Sequence, residues 1–482
     1  MQMKKRTIKF FAAASVIAFA SLASCNKNLE TKPDTFLSSL NTFEDVQNAL
    51  RGAYDGFQSD NYYGAPAASG SGSGWSALPE LMGDDFVEAL ESLGNWNQMS
   101  EMIYASDNGQ VGAIFFQPYQ IINRANDVLQ AVGKFETGAT NAEAKRVRAQ
   151  ALAIRAHAHF DLMRYFALSF DRNSTALGVP YVTTFDPQNP FKNLPRRNTV
   201  KENYDAALQD LNDALVAFRT GGNTTGNATR FLIDSATVYA IRTRINYYAS
   251  QWNDVIRDAN TVLALRPLGN ATDYVNTFAT TSESTPPSEI IWQIPSDNAL
   301  RPGGAISGSN TNYRVTAAMT TILQSQGGAY TNSGIARFNQ SGVGGVQRTL
   351  LWKYPGIRSF KVFRAGEMIL MRAEAKYRVN DATALVDLNT LRTNRGVTIG
   401  AEVGTVLLDA ILLQRRVELL GEGHRWFDLR RSTRTIVRQE CGTTGGSRAT
   451  NCTINPNSRS WNFPIPFNER RVNPNLEQNP GY

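Results

Sequence analysis

Apolar positions recur at helical spacing through most of this chain. Phe43, Val46, Leu50, Ala53, Tyr54 and Phe57 form one stripe, with Asn41 and Glu44 as a start signal, which predicts a helix over residues 42–57. The same reading predicts helices over 112–132, through Tyr119, Ile122, Ala125 and Leu129, and over 142–168, through Val147, Ala151, Ile154, Ala158, Leu162 and Tyr165. His157 and His159 stand two apart on the last of these, so they face different ways and read as packing or surface residues, not as a metal pair. A turn-rich crossing over 171–198 carries Pro180, Pro187, Pro190 and Pro195.

A repeat comes next. Tyr204, Ala207, Leu208, Leu211, Ala214 and Leu215 align with Trp252, Val255, Ile256, Ala259, Val262 and Leu263. From a cap at Asp234 to Pro267 the second unit reads helix, turn at Ser250-Gln251, helix over 34 residues, the period of a tetratricopeptide repeat. Looser helix pairs recur at 365–379 with 382–394, and at 405–420 with the segment after it. Such pairs cannot bury their apolar faces alone and must stack.

Two long stretches break the pattern. Residues 59–112 place Tyr62, Tyr63, Trp75 and Trp96 among Gly, Ser and Asn, with the glycine run at 70–74 and the acidic pair Asp84-Asp85. Residues 268–347 carry a strand signal over 289–294, where Trp292 sits in an apolar run and reads as core. Arg301-Pro302-Gly303-Gly304, Ser307 to Asn310, and Tyr313-Arg314 come after it. Long irregular segments in a compact protein are functional or disordered, and the aromatics argue against disorder. The closing segments 461–466 and 473–482 are too rich in proline to be helical.

Composition adds little until the N-terminus is read. At 482 residues the chain can hold one large core or two or three smaller ones. Its net charge is +7, of which Lys4, Lys5, Arg6 and Lys9 contribute four within a removable leader. No basic run is interleaved with aromatics, which excludes a nucleic-acid binder. Lys4-Lys5-Arg6, an apolar run over 10–20 and Leu22-Ala23-Ser24-Cys25 read as a lipoprotein signal over 1–24, with Cys25 lipidated and 25–40 as a tether. Each buried CH₂ of the acyl chains would add about 0.8 kcal/mol of anchoring. In an exported protein the other two cysteines, Cys441 and Cys452, are expected to form a disulfide across a loop of Gly, Ser and Thr.

The densest chemistry lies over 415–431, where Glu418 and Glu422 stand near Arg415, Arg416, Arg425 and His424. Glycoside hydrolysis needs two carboxyls across a bond, one with a raised pKa. The three arginines should lower both, so ion pairing is expected over proton donation. Asp84 and Asp85 are adjacent and diverge, and Asp84 is also a candidate cap or ion pair. No zinc spacing, phosphate loop or serine elbow is present, so no enzyme, metal or cofactor is expected. The cluster reads instead as a lock holding the C-terminal part onto the repeats.

Several motifs in order carry a resemblance. They are Cys25, Gln117-Pro118-Tyr119 with Ile122 and Ala125-Asn126, and Arg148 with Ala151 and Arg155-Ala156. Phe363-Arg364 with Glu367-Met368, Leu370 and Ala373-Glu374-Ala375 comes next, then Arg416, Glu418-Leu419, Glu422-Gly423, Arg425-Trp426 and Asp428-Leu429. The last are Pro464-Ile465-Pro466, Asn473-Pro474-Asn475-Leu476 and Gln478 to Tyr482. Together they resemble the SusD/RagB family of surface nutrient-binding lipoproteins.

The resemblance implies a mainly α fold, with four tetratricopeptide-type helix pairs and irregular loop-rich insertions. It implies a single SusD-like domain over 41–482, helix pairs near 142–267 and 363–431, and a ligand face on 59–112 and 268–347. It also implies an outer-membrane location facing the cell exterior and a SusC-like TonB-dependent transporter as partner. The ligand is expected to be an oligosaccharide; a peptide ligand and a protein-binding repeat scaffold are the alternatives. A glycan face needs aromatic platforms and planar polar groups, so Trp75, Trp96, Asn97, Tyr313 and Arg314 are the candidate ligand-binding residues. The aromatics are equally at home packing their own loops. On the binding assignment, Trp96→Ala and Tyr313→Ala should weaken binding without unfolding.

Overall fold

The computed structural model describes residues 40–482, apart from 65–73, 91, 93, 95, 185, 187–188, 190–191, 223–228, 282–284, 297–305, 308–312, 343–346 and 443–446. The leader with Cys25, most of the 70–74 glycine run, Arg301 to Gly304, and Gly308 to Asn310 lie outside the described residues.

Helix α1 (Phe43–Phe57) leads into the first irregular stretch, which holds α2 (Leu78–Leu81), β1 (Phe86–Glu88) and α3 (Asn97–Ser100). Two long helices come next, α4 (Gly109–Val132) and α5 (Asn141–Phe166), then α6 (Val200–Gly221) and the hairpin of α7 (Ser235–Tyr248) and α8 (Trp252–Leu265). The second stretch holds α9 (Ala271–Thr277), β2 (Ile290–Ile294), β3 (Tyr313–Val315), α10 (Ala317–Gln326), β4 (Ala336–Ser341), β5 (Gln347–Leu351) and β6 (Phe360–Arg364). Helices return as α11 (Ala365–Arg378), α12 (Ala384–Asn394), α13 (Gly404–Glu418) and α14 (Arg425–Arg431), and β7 (Ile436–Val437), β8 (Thr453–Ile454) and α15 (Phe467–Val472) close the chain. The fold is mainly helical, as expected.

Caps explain where the helices begin. Helix α4 starts three residues before the expected residue 112, because Asn108 accepts the N–H groups of Gln110 and Val111 at 2.9 and 3.1 Å. Asp234 caps α7 as expected, accepting the Thr237 N–H at 2.9 Å. Thr199 and Glu202 form a reciprocal capping box on α6. The six-residue α15 fits between the two proline-rich closing segments.

The helices stack in chain order. Helix α5 packs on α4 and α6, α6 on α7, α7 on α8, α8 on α11, and α11 on α12 and α13. Ile369, Leu370 and Ala373 of α11 meet Ala384, Leu388 and Leu391 of α12 and Ile411 of α13 in one apolar cluster. Each fully buried Leu or Ile there contributes about 1.5–3 kcal/mol. The second half of α5 is buried on every side, so it is the axis around which the two irregular stretches fold.

Those stretches meet through short antiparallel strands. One sheet has the order β1-β3-β5-β4, with Phe86 opposite Val315 and Glu88 opposite Tyr313. Strand β2 pairs with β6 and buries Trp292, as its apolar run predicts. Strand β7 pairs with β8.

Candidate functional site

The charged segment 415–431 is a junction, not an open site. Helix α13 ends at Glu418 and the chain turns through Gly421 and Gly423, at φ values of 77° and 80°. A Cβ on Gly423 would lie 2.0 Å from the Trp75 carbonyl oxygen, so no other residue fits there. Glu80 of α2 receives this turn, accepting the N–H groups of Gly421, Gly423 and His424 at 3.1, 2.9 and 2.8 Å. Burial pushes its pKa up to about 7, although those amides pull the other way.

The arginines expected to neutralise Glu418 and Glu422 are engaged elsewhere. Arg425 pairs with Asp84 at 2.6 Å, Arg416 with Asp85 at 2.8 Å and Arg415 with Asp428 at 2.9 Å. Glu418 instead meets Arg364, Arg395 at 3.0 Å and the Tyr330 hydroxyl at 2.6 Å. Glu422 meets Lys353 at 2.7 Å and Arg364 at 2.6 Å. Desolvation acts to raise both carboxyls, but the facing cations win and hold both below the ordinary range. Burial keeps His424 neutral. Burial raises Asp85 as well as Glu80, but Asp85 is held by Arg416, and Glu80 is sealed against backbone amides. Neither is placed to protonate a ligand across a cleft.

An open site forms where the first stretch meets the disulfide loop. Cys441 and Cys452 are bonded, as expected. Their loop is sewn to the first stretch by three sets of contacts. The Arg448 N–H donates to the Glu88 carbonyl at 3.0 Å, and its Nε donates to the Leu90 carbonyl at 3.1 Å. Ala89 bridges to Ser447. Buried Glu101 accepts the Thr450 N–H at 2.9 Å and the Asn451 N–H at 2.5 Å. Between these contacts opens a cleft of about 580 Å³, bordered by Leu90, Gly94, Asn97, Arg448 and Thr450. Among the described residues, the Asn97 amide and the two terminal nitrogens of exposed Arg448 have no hydrogen-bond partner. A free guanidinium fork beside a planar amide and a hydroxyl can bind adjacent ligand oxygens in pairs.

Of the candidate residues, Asn97 alone borders this cleft. Trp75, Trp96 and Tyr313 are 1 %, 2 % and 2 % exposed, which corrects the expectation that they present open faces. Trp75 stacks on Tyr62 with ring centroids 4.3 Å apart and meets Tyr165 edge-on at 5.3 Å. Trp96 directly precedes α3, and Tyr313 lies in the β1–β3 ladder. Burying a ring of this size is a large apolar gain. Arg314 is buried too, paired with Glu440 at 2.6 Å beside Cys441. Tyr313 and Arg314 therefore join the two stretches to the disulfide loop. Arg448 and Thr450 were not candidates; their only sequence signal was the cysteine pair around a loop of small residues.

Comparison with known proteins agrees with this architecture. Residues 353–482 match the model of the SusD family, and residues 29–221 match a model described as starch-binding associating with outer membrane. The chain is 22 % identical to SusD-like protein P2 of Formosa agariphila, with 100 % of both chains covered. It is 32 % identical to SusD-like protein P38 of the same organism over 25 % of this chain and 24 % of that one. A putative sugar binding protein of Bacteroides vulgatus has the same fold, with a TM-score of 0.78, 24 % identity, and 92 % of this chain and 100 % of that chain covered. A SusD superfamily protein of Bacteroides thetaiotaomicron gives 0.75 at 20 % identity, with 91 % and 100 % covered. The fold is that of the mainly helical SusD-like binding proteins. The chain belongs to the SusD/RagB family.

Proposed function

We propose that this chain is a cell-surface lipoprotein that captures oligosaccharide at the Asn97–Arg448 cleft and delivers it to a SusC-like TonB-dependent transporter in the outer membrane. The observation that carries the reading is the cleft itself. It gathers planar donors from two distant segments, the Asn97 amide and the terminal nitrogens of Arg448, that have no partner among the described residues, and the disulfide loop that forms one wall is hydrogen-bonded to the other. The family relation supports the ligand class and the membrane location; one matching model is described by starch binding and the outer membrane. Cys25 after its small residues supports lipid anchoring. The chain is not an enzyme: its family is a binding family, and the carboxyls of the junction are held in ion pairs or against backbone amides.

Affinity electrophoresis against a panel of soluble polysaccharides tests the ligand class. At least one should retard the wild type and fail to retard Asn97→Ala/Arg448→Ala, with the variant still folded and melting cooperatively. Retardation by none, together with binding to a peptide library, would replace this reading with the peptide-binding one. Pull-down from outer-membrane extracts through this chain should recover a TonB-dependent barrel, and Cys25→Ala should release the protein from membranes.

A further inference from the structure

A second cleft runs between α4, the crossing loop after α5 and the C-terminal tail, and holds about 740 Å³. Tyr119, Asn123, Tyr181, Thr183, Thr184 and Glu469 border it.

Its two tyrosines are already satisfied at their polar ends. Tyr181 lies flat on the buried His159 ring, with centroids 3.8 Å apart and planes 16° apart. Its hydroxyl donates to Asp210 at 2.7 Å, and Arg155 holds the same carboxylate at 2.6 Å. The Tyr119 hydroxyl donates to the Pro180 carbonyl at 2.9 Å, and its ring meets His159 edge-on at 6.2 Å. His159 is fixed in turn, accepting the Val182 N–H at Nε2 and meeting the Arg155 carbonyl through Nδ1, both at 2.9 Å. Both rings therefore keep their places without a ligand, and what they offer to the cleft is carbon surface.

The tail wall is held as well. Asn473 and Asn475 of the tail donate to the carbonyls of Pro195 and Leu194, each at 2.8 Å. Arg197 donates to the Glu477 carbonyl at 2.9 Å. Beside the rings stand the Asn123 amide, the exposed hydroxyls of Thr183 and Thr184, and the half-buried carboxylate of Glu469. Among the described residues Glu469 has no side-chain hydrogen bond or ion pair. Lys192 is the one cation in the described lining, which disfavours a polyanion. Fixed ring carbon beside amide, hydroxyl and carboxylate matches a pyranose, with its C–H face and its ring of hydroxyls.

We infer that this cleft is a second, auxiliary site for neutral oligosaccharides, built from elements distinct from those of the Asn97–Arg448 cleft. The ligand class rests on the proposed glycan-binding function; the cleft and its fixed tyrosines do not.

Isothermal titration of the detergent-solubilised full protein with maltohexaose, cellohexaose, laminarihexaose, mannohexaose and xylohexaose tests the inference. At least one should give a two-site isotherm. Asn123→Ala/Glu469→Ala should weaken one site by at least tenfold and leave the other unchanged. Asn97→Ala/Arg448→Ala should do the converse, and circular dichroism melts should confirm that both variants fold. A single site abolished by Asn97→Ala/Arg448→Ala alone overturns this inference and leaves the primary reading standing. A single site abolished by Asn123→Ala/Glu469→Ala alone supports this cleft and removes the other. Binding of no hexasaccharide removes both, and displacement of bound sugar from this site by peptides overturns the ligand class.

Discussion

The Glu80 carboxylate accepts the backbone N–H of His424 at 2.8 Å, joining two residues 344 positions apart. The same carboxylate serves Gly421 and Gly423. A four-residue helix in an irregular loop thereby holds the turn that names the family.

Glu80→Ala leaves these buried amides without an acceptor, so it should destabilise the protein by about 2–4 kcal/mol. Urea unfolding measures this, and a loss below about 1 kcal/mol would show that solvent or another group takes over.

The pH dependence has its own signature. The folded pKa of Glu80 is about 7 against an ordinary 4.5, so folding takes up a proton between those values. This contribution is fully present below about 4.5 and is lost as pH rises through about 7. Glu80→Gln mimics the protonated acid. Its melting temperature should be flatter than that of the wild type between about pH 5 and 8. Parallel curves would assign the wild-type slope to another group.

The buried acids of the junction act at the other end of the scale. Glu374, facing Arg431 at 2.9 Å, has its pKa lowered to about 2 even though desolvation raises it, and Glu418 is also depressed. Their contributions are present above the ordinary carboxylate range and are lost as pH falls through it toward the folded values. Glu418→Ala would leave Arg364 and Arg395 buried with less compensation and should cost about 3–5 kcal/mol. Thermal melts from pH 7 down to about 3 should show the wild type failing on the acid side. A wild-type melting temperature that holds through that range would refute the assignment.

Binding and stability should separate cleanly by residue. Asn97→Ala removes an amide, and Arg448→Ala a guanidinium fork, that have no partner among the described residues beyond the Arg448 Nε bond to Leu90, so each should weaken glycan binding by about 1–2 kcal/mol while costing less than about 1 kcal/mol of stability. Trp96→Ala empties a buried site and should cost about 3–5 kcal/mol of stability. A stable Trp96→Ala with lost binding would return that ring to the ligand site.

The disulfide closes a loop with a sequence separation of 11, so Cys441→Ser/Cys452→Ser should lose about 2–3 kcal/mol. It should also weaken glycan binding, because Arg448 and Thr450 ride on that loop. Unchanged affinity would mean that the contacts to Glu88, Leu90 and Glu101 hold the wall unaided.

The sequence alone determined the long helices of the stack, but not the short ones inside the two irregular stretches. The stripes through Phe43 to Phe57 and through α7 and α8 depend on residues three and four apart, and such neighbours are legible in any window of the chain. It determined the family, because the motifs fall in order, and it pointed to the disulfide through composition and compartment. Tertiary structure decided which aromatics are buried and which polar groups stay open. Trp75 and Trp96 stand among glycines and serines, so no local period says which way their rings face. Arg425 meets Asp84 from 341 positions away. The cleft needs Asn97 and Arg448 brought together from the two ends of the chain. Contacts of that range are set by how stacked helices carry their insertions, and that arrangement exists only once the chain has folded.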